Sequence, residues 1–372
     1  MKLALSVDAL TPVLTGIGRY AWELASRLPQ HPQVEDVRYY RQGHWVKEPG
    51  VLLQVDAAHG RRAGLLRHLR VPRRLRERVL GWNCRGRVFH GPNYFLPQCA
   101  DIGVATIHDL SVFKFPETHP LERIRHFERE FNNSVSRAAH LITDTEATRQ
   151  EVMDFLSWPA EKISAVPLGV SANFRVRAGY ELQAGLKKYG LTQDGYTLCV
   201  STLEPRKKLG NLLQAYESMS QPVRDRYPLI LVGGAGWLSE SLHRDIDRCS
   251  GQGWLRYLGF IPESDLPVLY SGARAFVYPS IYEGFGLPVL EAMASGVPVV
   301  ASNRSSLPEI TKGAARLVDP DDIDALRVSI EIVLSDEAWR STAKLQGLAV
   351  ADGFSWDNCV DQTIRVYERI VP

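Results

Sequence analysis

Residues 282–296 read YEGFGLPVLEAMASG, and this pattern predicts a loop that leads into a short helix. Pro288 suits the first helical position, where its missing N–H removes no hydrogen bond, and Gly296 suits the position just past the helix end. The free N–H groups at a helix start, together with the positive end of the helix dipole, attract anions. The stretch therefore predicts a site for a diphosphate.

Two glycines open the start of this helix to a ligand. Gly284 and Gly286 have no side chain that would hold a ligand away from the backbone. We expect the N–H groups of Gly286, Leu287 and Val289 to point at one spot. The predicted binding segment is Gly284, Phe285, Gly286 and Leu287.

Two glutamates flank the predicted anion site. Glu283 precedes it and Glu291 lies about one turn inside the helix. Carboxylates repel phosphate but accept hydrogen bonds from hydroxyl groups, so Glu283 suits a sugar and Glu291 a ribose. A nucleotide sugar has this layout. An ordinary amphipathic helix after a glycine-rich turn is the alternative. The spacing resembles the E-x7-E signature of retaining glycosyltransferases of family 4, which have the two-domain GT-B fold.

Length and composition indicate a two-domain globular protein. The chain has 372 residues, 45% of them hydrophobic and 23% charged, and its net charge of +2 gives no reason to expect a nucleic-acid partner. Its five cysteines are scattered without a C-x-x-C pair, which favours a reducing compartment. The first residues, MKLALSVD, predict a buried strand rather than a signal peptide.

Short apolar runs alternate with helical patterns, as in parallel α/β sheets. Strands are predicted at 2–7, 37–40, 87–90, 104–107, 141–143 and 163–166, then at 197–201, 229–232, 256–258, 275–278, 298–301 and 315–317. The pattern breaks near 168–177. We therefore predict two doubly wound Rossmann-like domains, 1–170 and 175–355, that face each other across a cleft. The resemblance implies that the final helix, 356–372, packs back on the first domain.

A basic pair follows the first strand of the second domain in the sequence STLEPRKK, residues 201–208. Arg206 offers a planar fork for phosphate oxygens and Lys207 a point charge. A solvated basic loop is the alternative. The segment resembles the family's E-P-R-K element, which implies that Arg206 and Lys207 hold the donor phosphates and act as electrostatic catalysts.

The sequence TGIGRY, residues 15–20, follows the first strand of the chain. It lacks the third glycine and the acidic residue of a dinucleotide fingerprint. It is similar to the flexible glycine loop of family-4 enzymes, which implies that Gly16 and Gly18 make backbone contacts with the donor diphosphate.

His108 and Asp109 end a predicted strand of the first domain. A lone histidine is more often structural, but a strand end faces the cleft. The resemblance implies a catalytic His108 beside the transferred sugar, with Asp109 fixing its tautomer or touching the acceptor. Tyr94 is a weaker candidate of the same kind.

Phe260 and Ile261 are predicted to contact the nucleotide base, although core packing is nearly as good an interpretation of Phe260. The sequence contains no metal pattern, because its two D-x-D spellings, at 245–247 and 322–324, lie in helical patterns without His or Cys nearby. The GT-B architecture also implies that no divalent ion is required.

An arginine-rich segment extends from Arg61 to Arg87, with ten arginines and a single acid, Glu77. Its leucines lie on one helical face, and a basic amphipathic helix suits an anionic membrane surface. A solvated helix is the alternative.

Taken over the whole chain, the order of motifs resembles bacterial mannosyltransferases and rhamnosyltransferases of O-antigen and surface-polysaccharide synthesis. The implied reaction moves a hexosyl unit from GDP-mannose or GDP-rhamnose to a lipid-linked glycan acceptor. The implied location is cytoplasmic and peripheral on the inner membrane, and other glycosyltransferases are implied partners there. The alternatives are a UDP-sugar donor, a nucleotide-sugar epimerase, and a non-catalytic subunit that binds a partner.

Overall fold

The computed structural model of the chain describes residues 1–54, 83–236 and 240–371. It contains two sheets. The first has the order β3-β2-β1-β4-β5-β6-β7, and all of its neighbours are parallel except β2 and β3. Its strands are β1 Lys2–Ser6, β2 Asp36–Arg41, β3 His44–Val46, β4 Val88–Gly91, β5 Ile102–Ile107, β6 Ala138–Thr143 and β7 Ile163–Ala165.

The second sheet is wholly parallel and has the order β10-β9-β8-β11-β12-β13. Its strands are β8 Thr197–Val200, β9 Leu229–Val232, β10 Leu255–Tyr257, β11 Ala275–Tyr278, β12 Val299–Ser302 and β13 Arg316–Val318. The predicted α/β class with two doubly wound sheets is confirmed, and each predicted strand overlaps an observed one, with ends that differ by at most three residues. Sequence analysis missed only the antiparallel strand β3 among the described strands.

Helices connect the strands and cover both sheets. Those up to β7 are α1 Gly16–Arg27, α2 Ser111–Lys114, α3 Leu121–Val135 and α4 Glu146–Leu156. Those that follow are α5 Gly179–Lys188, α6 Leu209–Glu217, α7 Gln221–Arg226, α8 Glu240–Gly251, α9 Leu266–Gly272, α10 Leu287–Ala294, α11 Leu307–Thr311, α12 Ile323–Ser335, α13 Glu337–Asp352 and α14 Trp356–Ile370.

The last helix, α14, returns to the first domain. The Tyr367 hydroxyl lies 2.6 Å from Nδ1 of His90 in β4, and Arg27 of α1 pairs with Asp357. The approach is close at Gly169, where a Cβ atom would lie 2.2 Å from the backbone nitrogen of Trp356. A side chain at residue 169 would therefore displace α14.

The two domains meet where the carboxyl ends of their strands face each other. The Tyr282 hydroxyl donates to Glu151 (2.6 Å) and accepts from the Leu110 N–H (3.0 Å). The Gly284 carbonyl accepts from the hydroxyls of Thr145 (3.0 Å) and Thr148 (3.2 Å). The loop before α10 is thereby hydrogen-bonded to the first domain.

A carboxylate adds to this junction at the start of α4. Both Glu309 oxygens accept backbone N–H groups there, one from Glu146 and one from Ala147, each at 2.9 Å. A carboxylate is favoured at a helix start because of the free amides and the helix dipole. A side chain of the second domain thus caps a helix of the first.

Candidate active site

The basic pair lies in a single 3-10 turn, Pro205–Lys207, just after β8. Both side chains are buried. The Lys207 ammonium donates to Glu283 Oε1 (2.5 Å) and to the Tyr278 hydroxyl (3.0 Å). The alternative of a solvated basic loop is therefore wrong for these two residues.

Arg206 is held by oxygens on both sides of its guanidinium. Nη1 donates to the Tyr282 carbonyl and lies 3.4 Å from Glu283 Oε2, while Nη2 lies 3.4 Å from Glu204 Oε2. Its Nε is buried and has no hydrogen-bond partner among the described residues. A buried N–H without an acceptor is costly, so Arg206 keeps one donor for a ligand.

Glu283 joins these two cations at the centre of the site. Burial by itself raises the pKa of a carboxyl group. Here Lys207 and Arg206 outweigh burial and lower the Glu283 pKa to about 2. Burial also lowers the Lys207 pKa, and Glu283 offsets this only in part. The cluster thus holds a permanent carboxylate between two cations.

The helix after Glu283 begins at Leu287, one residue earlier than predicted, with Gly286 as its N-cap in the left-handed region (φ +112°). Within the described chain, the N–H groups of Gly286 and Leu287 find no acceptor. The prediction for Val289 is wrong, because its N–H donates to the Gly286 carbonyl at 3.0 Å. Gly296 follows the helix end with φ +70°, as its position predicts.

Gly284 and Phe285 have structural contacts in this loop. A Cβ atom at residue 284 would lie 1.7 Å from the carbonyl oxygen of His108, so only glycine fits there. The Phe285 ring is buried and packs edge-on against Phe354 (5.8 Å between centroids). Binding contacts of these two residues stay predictions, and any contact of Phe285 would come from its backbone.

Gly16 and Gly18 lie in the first turn of α1 rather than in a loop. The Thr15 hydroxyl caps this helix by accepting the Gly18 N–H at 3.3 Å. The expected flexible loop is therefore wrong, and the Gly18 N–H is already engaged. Gly16 lies beside α10, since a Cβ atom there would be 3.6 Å from Cδ1 of Leu287. The starts of two helices thus converge at the predicted diphosphate position.

Glu291 lies one turn inside α10 and is half-buried. Burial raises its pKa to about 7, against the opposing effects of the Tyr270 hydroxyl and the Arg19 guanidinium. Unlike Glu283, this carboxyl group has no cation in hydrogen-bond contact in the described chain.

His108 follows β5, but its ring is enclosed by the first domain. Nδ1 lies 2.7 Å from Asp144 Oδ2, and Nε2 donates to the Pro92 carbonyl at 2.8 Å. Burial lowers the His108 pKa, but Asp144 and Pro92 raise it more, so that the net shift is upward. Both ring nitrogens are occupied, and a direct catalytic role of the ring stays a prediction.

The expectation that Asp109 fixes the His108 tautomer is wrong, because Asp144 does so. Asp109 Oδ1 accepts the Ser111 N–H (2.8 Å), and the Asp109 N–H donates to the Tyr94 hydroxyl (3.1 Å). Asp109 is nevertheless near enough to Arg206 to contribute to raising the Arg206 pKa. A contact of Asp109 with the acceptor stays a prediction.

The predicted base contacts differ in exposure. Phe260 is 56% exposed and Ile261 is buried. Core packing is therefore the wrong interpretation of Phe260, whose ring is available to a ligand, whereas Ile261 belongs to the core. Contacts of both residues with a nucleotide base stay predictions.

Sequence analysis missed Glu204, Tyr278 and Tyr282 as parts of the site. Glu204 belongs to the E-P-R-K element, so the sequence did contain a pattern that could have identified it. The partners of Tyr278 and Tyr282 lie more than 70 residues away in the chain, and one sequence gives no sign of these contacts.

Most of the arginine-rich segment, residues 61–82, lies outside the described residues. Its last member, Arg87, is described and is buried, with an ion pair to Asp36 and a hydrogen bond to the Leu3 carbonyl. Arg87 therefore does not belong to a solvated or membrane-facing helix. In the described ranges, no helix is long and apolar enough to cross a membrane, and no group of His, Cys, Asp and Glu has the geometry of a metal site.

A cavity of about 360 Å³ lies elsewhere, between α4, β7 and α14, and includes Arg149, Arg365 and Arg369. It shares no residue with the cluster around Glu283. We assign the site to that cluster, because charges and open amides converge there.

The chain is similar in sequence to known glycosyltransferases. Residues 186–347 match the family model described as glycosyl transferases group 1. The chain is 40% identical to O-antigen chain mannosyltransferase B of Escherichia coli, over 381 aligned residues and the full length of both chains.

Solved structures have the same fold at low identity. Anabaena HepE, crystallised with UDP, superposes with a TM-score of 0.73 at 16% identity, covering 99% of this chain and 100% of that one. WaaG, a glycosyltransferase involved in lipopolysaccharide biosynthesis, superposes with a TM-score of 0.71 at 14% identity, covering 97% and 98%. The chain therefore belongs to the group 1 glycosyl transferases and has their GT-B fold.

Proposed function

We propose that this protein transfers a mannosyl unit, or its 6-deoxy relative rhamnosyl, from a GDP-sugar to a lipid-linked glycan in bacterial O-antigen synthesis. The full-length similarity to an O-antigen chain mannosyltransferase supports the sugar and the glycan class. We further propose that anomeric configuration is retained and that no metal ion is required.

One observation carries the proposal: Arg206 and Lys207 lie together with the open start of α10. The N–H groups of Gly286 and Leu287 have no acceptor in the described chain, and Arg206 Nε is likewise unpaired. N–H donors that have no acceptor in the protein can instead bind the oxygens of a diphosphate.

The chemistry follows from where charge develops. When the anomeric C–O bond breaks, the electron pair stays on the diphosphate, whose negative charge increases. Arg206, Lys207 and the α10 amides stabilise that charge more in the transition state than in the bound donor, which lowers the barrier. The two side chains would provide the compensation that a divalent ion provides in other transferases. The acceptor hydroxyl would then attack from the face that the diphosphate leaves, and its proton would pass to the departing diphosphate oxygen.

Glu283 would orient the sugar rather than abstract a proton. A carboxyl group with a pKa of about 2 is a weak base at neutral pH. Its remaining lone pairs can accept sugar hydroxyls, while Lys207 and Arg206 hold it in place. Glu291 would accept the ribose hydroxyls.

A thermal-shift panel tests the donor, because a ligand that binds only the folded state raises the melting temperature. We expect GDP-mannose or GDP-rhamnose to raise it more than UDP-glucose does. A larger shift with UDP-sugars would move the proposal to a UDP donor. Donor incubated without acceptor should give no epimer, which separates a transferase from an epimerase.

Product analysis tests the reaction itself. With a lipid-linked acceptor, transfer should persist in excess EDTA, and NMR of the product should show the anomeric configuration of the donor. Inversion, or loss of turnover that added Mg²⁺ restores, would contradict the mechanism. Absence of both transfer and donor hydrolysis would favour a non-catalytic subunit.

We also propose a peripheral location on the cytoplasmic face of the inner membrane, supported by the arginines between residues 61 and 82. Liposome flotation tests it. The protein should float with anionic vesicles and not with neutral ones, and equal binding to both would end the idea.

A further inference from the structure

Tyr278 is the last residue of β11, and its hydroxyl contacts the ammonium of Lys207. Lys207 Nζ donates to the Tyr278 oxygen at 3.0 Å and to Glu283 Oε1 at 2.5 Å. All three residues are buried, since none of them is more than 8% exposed. The Tyr278 hydroxyl therefore lies inside the charged cluster, as one of two acceptors that hold the ammonium.

Tyr278 is held more firmly than the lysine that it contacts. Its strand lies inside the sheet, paired with β8 on one side and with β12 on the other, where Tyr278 is opposite Ala301. Its ring packs against that of Phe276, with 6.0 Å between the ring centroids. Lys207 lies in a 3-10 turn and carries its charge on a flexible four-carbon stem. A partner on a central strand can therefore fix the ammonium more precisely than the lysine backbone alone.

The hydrogen bonds of Lys207 leave one N–H group for a ligand. An ammonium has three N–H donors, and within the described chain Glu283 and Tyr278 accept two of them. Glu283 is shared, because its Oε2 also lies 3.4 Å from Nη1 of Arg206. The phenol differs from this carboxylate in charge. Burial and Glu283 raise the Tyr278 pKa, so the phenol stays neutral and holds Lys207 without cancelling its positive charge.

We propose that Tyr278 is a positioning residue of the transfer reaction: its hydroxyl holds the Lys207 ammonium so that the third N–H points at the diphosphate of the donor. The inference rests on the proposed function, because it requires a nucleoside diphosphate sugar beside Lys207. The four substituents of an ammonium nitrogen are tetrahedral, so two fixed acceptors define the direction of the remaining N–H. With Glu283 as the sole acceptor, the flexible stem would let the ammonium swing about a single hydrogen bond.

The loss of this hydroxyl should affect the transition state more than the bound donor. Negative charge increases on the diphosphate as the anomeric C–O bond breaks, so a displaced ammonium loses more stabilisation of the transition state than of the ground state. Such a change lowers kcat and leaves KM nearly unchanged. A purely structural hydroxyl would instead affect the melting temperature and not the turnover of each folded molecule.

Steady-state kinetics of Tyr278→Phe test this role, measured as transfer from GDP-mannose to a lipid-linked acceptor. We expect kcat to fall about tenfold, because the ammonium is displaced but still present, and the donor KM to stay within about twofold of wild type. The variant keeps the ring and its packing against Phe276, and circular dichroism should show a folded protein. A wild-type kcat in this folded variant would overturn the inference.

Tyr196→Phe is the matched control. Tyr196 is also a buried tyrosine of the second domain, and its hydroxyl donates to the Leu269 carbonyl at 2.5 Å. This variant loses a hydrogen bond of the same kind, but away from Lys207, so its kcat should stay within about twofold of wild type. An equal loss of kcat in both variants would show a general effect of removing a buried hydroxyl and would overturn the role of Tyr278.

A double-mutant cycle shows whether the hydroxyl acts through Lys207. In the Lys207→Ala background, Tyr278→Phe should change kcat by less than about twofold, because no ammonium remains to be held. A further tenfold loss in that background would contradict the inference. The same pair decides if Tyr278→Phe alone does not fold, since without Lys207 no buried ammonium is left short of an acceptor.

The wild-type protein separates this inference from the proposed function. If wild type releases nucleotide from neither GDP-mannose nor UDP-glucose, the proposed function is overturned, and this inference with it. If wild type is active and the folded Tyr278→Phe variant turns over equally fast, the role of Tyr278 alone is wrong.

Discussion

The basic pair of the second domain and the histidine of the first each follow a strand, yet they differ in the hydrogen-bonding groups that they leave free for a ligand. Arg206 keeps an unpaired Nε, and the adjoining α10 offers two amides without acceptors in the described chain. His108 has both ring nitrogens bonded to its own domain. At this site the second domain therefore offers a cation and amides to a ligand, whereas the histidine of the first domain is already bonded within its own domain.

This difference is decided by partners far along the chain. Asp144 lies 36 residues from His108, and Glu283 lies 76 residues from Lys207. A motif therefore shows which chemistry is possible at a strand end, while its distant neighbours decide whether a side chain is free to perform that chemistry.

The largest loss of activity should come from a change in the basic pair. Lys207→Ala should lower kcat about 100- to 1,000-fold, because one preorganised contact to developing negative charge is worth about 3–4 kcal/mol. Lys208→Ala is the control, since Lys208 pairs with Asp321 (2.8 Å) instead, and its turnover should stay within twofold. Near-normal turnover of a folded Lys207→Ala protein would contradict the electrostatic role proposed for Lys207.

The close packing of the first domain against the loop before α10 can be tested at Gly284. Gly284→Ala would place a methyl group 1.7 Å from the His108 carbonyl oxygen, and such overpacking should lower the free energy of unfolding by about 3 kcal/mol. Gly210→Ala meets no heavy atom within 4 Å and should gain about 0.5–1 kcal/mol in helix α6. Guanidinium denaturation measures both. Equal stabilities would mean that the domains do not meet at this loop.

His108→Gln tests whether the enclosed ring is structural. It leaves buried Asp144 short of a partner and should lower the free energy of unfolding by about 2 kcal/mol, with turnover per folded molecule within about fivefold. The His108 pKa is raised in the folded state, so its contribution to stability is present below pH 6.5 and is lost as pH rises through the raised pKa. A hundredfold loss of turnover at unchanged stability would instead show that the ring contacts the substrate.

The smallest effect should come from the ribose site. Glu291→Ala should weaken GDP binding about tenfold to thirtyfold, since hydrogen bonds to a charged acceptor are worth about 1.5–2 kcal/mol. Pyrophosphate has no ribose and should bind this variant and wild type equally. Unchanged GDP affinity by titration calorimetry would refute the ribose assignment.

Local patterns predicted much of the fold. The apolar runs located the described strands apart from β3, which lies at the edge of its sheet and has no buried residue. The α10 helix was predicted because proline and glycine mark its two ends. The start of α1 was missed although Thr15 is a good N-cap, because the glycines after it suggested a loop.

The site was predictable only where charge and position coincide in a short segment. Arg206, Lys207 and Glu283 lie in two such segments and meet in the structure. His108 pairs with Asp144 and not with the adjacent Asp109, and Arg19 pairs with Glu263. Both pairings depend on tertiary contacts that a single sequence does not encode locally.

The Glu309 cap on α4 and the threonine bonds to the Gly284 carbonyl bear on how hybrid enzymes can be built. Grafting the second domain onto the first domain of a relative would preserve each sheet and would leave Glu309 facing backbone N–H groups. The Gly284 carbonyl, however, would lose its two hydroxyl donors unless Thr145 and Thr148 were inherited with it. A chimera with a new donor preference should therefore transplant the loop and the two threonines that donate to it as one unit, although they lie more than 130 residues apart in the chain.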